Sequence, residues 1–186
     1  MAEIKLSELS KNYLELGDDL TYTLTGKWSG DRLVIRNASG KRLFFLDGSI
    51  HSTHAEDALV FDGDLVNCTI HAERFSLFFG GLTFWGRLEK VKLDGFAIYF
   101  PHTGIRATSD FANRTVDIRN CRIQCASHEG IYMGISKATQ NPSEQLVIEH
   151  NHITHCGWDG IQVGNWKNVW VTNNEITSAG MAREWG

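Results

Sequence analysis

Val116-Asp117-Ile118-Arg119-Asn120-Cys121-Arg122-Ile123, Leu146-Val147-Ile148-Glu149-His150-Asn151-His152-Ile153 and Val169-Trp170-Val171-Thr172-Asn173-Asn174-Glu175-Ile176 align without a gap. Each reads apolar, any, apolar, two polar positions, Cys or Asn, any, then Ile. The first two segments stay in step downstream, where His128-Glu129-Gly130-Ile131-Tyr132-Met133-Gly134 matches Trp158-Asp159-Gly160-Ile161-Gln162-Val163-Gly164. Toward the N-terminus, Leu88-Glu89-Lys90-Val91-Lys92-Leu93 and Leu65-Val66-Asn67-Cys68-Thr69-Ile70 enter the same frame. Anchors at 65, 88, 118, 148 and 171 are separated by 23, 30, 30 and 23 residues. That is a repeat with loop insertions, placed at Pro101 to Asn113 and at Ser136 to Ser143.

Within a repeat the apolar positions alternate at period 2, and Val, Ile and Thr dominate, which describes strands. No repeat sustains the i, i+3, i+4, i+7 pattern of a helix. Strands of three to five residues bury nothing alone, but stacked coils share a continuous core. Parallel crossovers are right-handed in nearly all proteins. The predicted fold is all-β, a right-handed parallel β-helix of about 23 residues per coil. One domain spans 1–186, with an N-terminal cap and first coils in 1–42 and regular coils in 43–186. Ser7 to Leu14 is expected to be either a short capping helix, with Leu6, Leu9 and Tyr13 on one face, or a first strand. Ile176 to Gly180 repeats Ile153 to Gly157, so another strand is expected next. The expectation is a fragment whose regular coils are incomplete at the C-terminus, with an open last coil that invites end-to-end self-association.

With 42% hydrophobic and 22% charged residues, a net charge of -4 and a pI near 6.0, the chain is a soluble domain without the basic surface of a nucleic-acid binder. No apolar run approaches the roughly 18 residues that span a membrane. MAEIKLSELSKNYLEL is not a signal peptide. Cys68, Cys121, Cys125 and Cys156 show neither CxxC nor zinc spacing and read as small buried residues.

The I-x-x-N-x-I…G-I-x-V-G pattern resembles the right-handed parallel β-helix superfamily, over about residues 43–186. That superfamily includes pectate lyases, alginate lyases, C5-epimerases, polygalacturonase-like hydrolases and phage tailspikes. The resemblance implies a polysaccharide or oligosaccharide partner and a secreted, periplasmic or cell-surface location. It also suggests that Cys68, Val91, Cys121, Asn151 and Asn174 occupy one inward-turning ladder position. The Asp-Asp and Gly-His-Gly signatures of polygalacturonases and the Arg-x-Pro-x-x-Arg element of pectate lyases are absent.

Glu129 and Asp159 both precede the Gly-Ile strand and are expected to stack on adjacent coils. Two close carboxylates share a proton, hold Ca²⁺, or serve as acid and nucleophile. The alternative is that both are turn residues bonding backbone N–H groups. His128 and Trp158 just before them, with Tyr132 and Gln162 pointing outward just after, complete a sugar-binding surface. Arg106 and Asp110 are placed on an inserted loop, where specificity determinants gather. Trp166 and Trp170 flank a turn and offer stacking rings. Lys92, Arg122, His152 and Glu175 form an outward row. His150, His152 and His155 diverge in this frame and do not make a metal site. Two functions compete: a polysaccharide lyase, epimerase or hydrolase using Glu129 and Asp159, and a non-catalytic glycan-binding or adhesin-like spacer.

Overall fold

The computed structural model describes residues 1–107, 112–134 and 142–181. Each coil is three strands around a common core. A sheet of 12 strands covers two faces, and a sheet of seven strands covers the third. In the N-terminal coils single long strands, Thr21–Gly30, Arg42–Ser52 and Leu65–Phe78, wrap both the first and second faces. Later coils break at that corner, giving Leu88–Asp94 then Ala97–Tyr99, Thr115–Arg119 then Arg122–Gln124, Ser143–Glu149 then His152–Thr154, and Trp166–Thr172 then Glu175–Thr177. The third face runs from Tyr13–Glu15 to Ile161–Val163. Neighbouring coils pair in parallel register on all three faces.

Register explains the sequence period. Leu43, Ile70, Leu93, Ile118 and Ile148 pair in one column, each at most 1% exposed, and Val171 continues it into the last described coil. This places the first anchors at Ile70 and Leu93 rather than at Leu65 and Leu88. Within the continuous strand Leu65–Phe78 the left-handed Asn67 resets the inward parity, so Leu65 and Ile70 both point into the core and either serves as an anchor.

The correction moves the ladder. The residue just before the paired column Ser76, Ala97, Arg122, His152, Glu175 is Phe75, Phe96, Cys121, Asn151 and Asn174 in turn. Cys68 and Val91 belong to another column, buried through Val116 and Leu146 and ending at the exposed Val169. Lys92 likewise leaves the Arg122–His152–Glu175 row, and its register partners are Thr69 and Asp117 on the first face. The asparagines do form rungs. The Cys121 N–H donates to Asn151 Oδ1 at 2.9 Å, while the Asn151 N–H and Nδ2 both donate to Asn174 Oδ1 at 2.9 Å. Asn151 Nδ2 also reaches Ile118 O at 3.1 Å, and Asn174 Nδ2 reaches Ile148 O at 2.8 Å. Corner backbone that no sheet ladder can pair is thereby satisfied.

Two corners turn on one left-handed residue per coil. Between the first and second faces these are Asp47, Arg74, Gly95, Asn120, His150 and Asn173, and between the second and third they are Phe79, Phe100, Cys125, His155 and Ser178. The Gly-Ile motif has a different cause. A Cβ on Gly130 would sit 2.5 Å from Gly160 O, and one on Gly104 would sit 2.4 Å from Gly130 O. The coils approach too closely there for any side chain.

Other expectations change. Instead of a capping helix, a 3-10 turn at Leu6–Glu8 precedes the strand Tyr13–Glu15, and Leu6 alone of that turn is buried. Cys68, Cys121 and Cys156 are buried, and burial pushes their thiols up to about 12, 12 and 11, whereas Cys125 is exposed at its corner. Trp166 and Trp170 share one strand, with Trp166 Nε1 donating to Met133 O at 2.8 Å.

Candidate functional site

Most of the candidate site residues gather at the second corner. On the third face, just past it, Thr83, Arg106, Tyr132 and Gln162 follow one another in register, with Thr83 buried and Gln162 exposed. In the turn before, His128 lies on His102 and Trp158 lies on His128. The imidazoles meet edge to face with centroids 3.7 Å apart, and the indole tilts over His128 at 4.1 Å. His128 Nδ1 and His102 Nδ1 are 3.0 Å apart, so one ring donates and the other accepts. Trp158 is 52% exposed.

Glu129 and Asp159 do stand on adjacent coils, where the Gly130 N–H donates to Asp159 O at 3.0 Å. Their surroundings differ. Glu129 is buried and accepts from Thr103 Oγ1 at 3.1 Å, while Asp159 faces solvent. Among the described residues no three His, Cys, Asp or Glu side chains converge to hold a metal, so this pair lacks a third acidic ligand for Ca²⁺.

Arg106 is not on a loop. It lies in the strand Ile105–Ala107, and its guanidinium is turned back into the molecule, 2.9 Å from both Asp57 and Glu56 and 3.1 Å from Thr83 Oγ1. The turn residues Pro101 to Gly104 suggest an insertion, but they only round the corner. These contacts tie its coil to the two before it. Asp110 lies outside the described residues.

A larger ring surface adjoins this corner and was not anticipated from the sequence. On the second face His51 stacks on Phe78 at 4.5 Å and Phe78 on Tyr99 at 5.2 Å, each at 20°. At the corner Phe79 and Phe100 stack at 5.8 Å and 18°, and they are 53% and 54% exposed. The signal available was the pair of doublets Phe78-Phe79 and Tyr99-Phe100, apolar pairs that strict alternation cannot bury on both members.

His102 gives this site a pH dependence. Burial pushes its imidazole below the ordinary value, with His128 and Arg106 acting the same way and Glu56 and Glu129 opposing. A histidine depressed in the folded state takes up its proton more readily when unfolded. Its stabilising effect is therefore present above the unfolded value and lost as pH falls from about 6.5 toward the folded value. Thermal midpoints measured between about pH 7 and 5 should fall more steeply for the native chain than for His102→Gln.

A solenoid of parallel coils with an interrupted asparagine ladder and a ring-lined corner defines the class. The family model for the right-handed β-helix region matches residues 33–182, and the chain belongs to that family. No curated protein matches the chain, and no solved structure does.

Proposed function

We propose that this protein binds a carbohydrate chain along its second corner, with pyranose faces resting on Phe79, Phe100 and Trp158. The carrying observation is that Phe79 and Phe100 have φ of 63° and 57°. Left-handed backbone costs a bulky residue about 1–2 kcal/mol and is ordinarily given to Gly or Asn. Here the same two residues also hold their rings half in water. Each coil from Phe79 onward turns this corner on a left-handed residue, but folding gains nothing from making that residue a bulky one with its ring half in water, and exposed stacked rings at such a turn are what a ligand platform requires. His128, Asp159, Tyr132 and Gln162 lie alongside and supply hydroxyl partners.

Phe100→Asn separates binding from folding. Asparagine suits left-handed backbone, so the variant should match or exceed native stability by about 1 kcal/mol. Its affinity for the polysaccharide that the native chain selects from an immobilised glycan panel should fall about 10-fold, or about 1.4 kcal/mol. A variant that loses stability and keeps its affinity would assign Phe100 to packing instead.

Cleavage is the second reading, favoured by Glu129 and Asp159 on neighbouring coils in unlike surroundings, buried and exposed. One carboxylate held by Thr103 and one open to solvent present two different positions toward a bound glycan. Reducing-sugar release and absorbance near 235 nm, followed in the native chain and in Glu129→Gln, decide between the two.

A further inference from the structure

The first face carries a concavity of about 630 Å³, lined by Phe44, Thr69, His71, Lys92, Asp94, Asp117 and Arg119. Two register rows make its floor. Phe44, His71, Asp94 and Arg119 follow one another in one row, and Thr69, Lys92 and Asp117 in the other. The volume lies in the range of small-molecule sites.

Most of the polar groups there already hold one another. Asp94 holds His71 Nδ1 at 2.6 Å with one oxygen and Asn120 Nδ2 at 2.6 Å with the other. Arg119 holds Asp117 at 2.6 Å and Glu149 at 2.9 Å. These contacts fix the side chains before any ligand arrives. Lys92 is the exception: among the described residues no carboxylate stands within ion-pair distance of it. The contact to Asp94 also leaves His71 Nε2 unbonded among the described residues. Phe44 forms an apolar wall, its ring edge-on to His71 at 6.1 Å.

We infer that this cleft is a second ligand site, which takes a sugar ring bearing one negative charge. The ring lies against Phe44, the charge meets the Lys92 ammonium, and ring hydroxyls bond His71 Nε2 and Thr69 Oγ1. Lys92 is the cation of the cleft that no carboxylate holds, beside side chains already fixed by one another, so it favours a monoanion, and a concave wall strengthens the attraction by limiting water. Carboxylate and sulfate share this chemistry. The inference does not depend on the ring surface of the second corner, because the cleft occupies another face and shares no residue with it.

Calorimetric titration of the whole chain with a neutral, a uronate and a sulfated trisaccharide tests it. The expected result is that at least one charged probe binds 10-fold or more tightly than the neutral one, and that affinity falls with added salt. Which charged probe binds distinguishes carboxylate from sulfate. Lys92→Met should weaken the charged probe at least 10-fold and Phe44→Ala should weaken it measurably. Equal affinity for neutral and charged probes, no binding of either charged probe, or full affinity in Lys92→Met overturns the proposal. A charged probe lost in Phe100→Asn but kept in Lys92→Met places the only binding at the second corner.

Discussion

Replacing Phe96 with alanine is expected to lower stability by about 3–5 kcal/mol, the range for a buried aromatic ring removed from a core. Phe96 is fully buried. Its ring sits edge-on to Phe45 at 5.3 Å and to Phe75 at 6.3 Å, and Phe45 meets Phe75 at 5.1 Å. The three rings come from three coils and plug the first corner at the height where the asparagine rungs are missing. The backbone beside them cannot close the gap. Gly95 already approaches so near that a Cβ there would lie 2.1 Å from Ala72 O, and Arg122 N donates to Phe96 O at 2.8 Å, pinning the turn to the next coil. A cavity framed by hydrogen-bonded coils collapses little, which puts the cost in the upper part of the range. Phe96→Leu keeps most of the volume and should cost under about 1.5 kcal/mol. Urea titration should show the midpoint falling at unchanged slope. A reduced slope would mean that the coils on either side separate into independent folding units, as solenoids with a weakened interface do. A loss below about 1 kcal/mol for Phe96→Ala would show that the plug is not a tightly packed element.

The coil was legible because its signal recurs. Ile118, Ile148 and Val171 fall into one column, since each is flanked by the same polar break. The break is visible because the C-terminal coils interrupt their strands at the first corner with Asn120, His150 and Asn173 in left-handed backbone. In Leu65–Phe78 the left-handed residue at that corner is Arg74, which neither interrupts the strand nor stands out as a turn residue, so the register there is shifted by a few residues in the sequence pattern. The phenylalanine plug is lost with it, because Phe75 and Phe96 stand at the ladder position that the sequence frame gives to Cys68 and Val91. Glu129 and Asp159 were legible for a separate reason: both precede a glycine whose close approach to the next coil admits no side chain, so the motif is exact from coil to coil. The exposed rings were not legible. Inward and outward parity resets at each left-handed residue, so Phe79 and Phe100 read as core when alternation is carried through the corner. Arg106 failed in the opposite sense. A cation between turn residues reads as a loop specificity determinant, whereas its partner Asp57 lies two coils away, beyond the reach of a local pattern.

Asp57→Ala should destabilise the chain by about 3–5 kcal/mol, as breaking a buried ion pair from one side does. The Asp57 side chain is 2% exposed. Oδ1 accepts from Thr83 Oγ1 at 2.5 Å and from Arg106 Nη2 at 2.9 Å, and Oδ2 accepts from Arg32 Nη1 at 3.3 Å. The acceptor thus gathers donors from coils on both sides, along a third face whose strands are only three to six residues long there. Removing the carboxylate strands two guanidinium groups. Arg32 retains only its position over the Trp85 ring, 5.0 Å from the centroid. Arg106 retains Glu56, a contact open to water and of little worth to stability. The reverse change, Arg106→Ala, should approach the same loss, since it leaves a buried carboxylate with Thr83 and one longer contact. The double variant Asp57→Ala/Arg106→Ala should lose less than the sum, by about 0.5–3 kcal/mol, because the two groups share one interaction. Glu56 reports the same clamp independently. Hydrogen bonding from Arg106 holds its carboxyl below the ordinary 4.5, so an NMR titration of Arg106→Ala should show that value rising toward the unperturbed one. Strict additivity of the two losses, or an unmoved Glu56 titration, would show that Arg106 tethers the coils through its stem rather than through its charge.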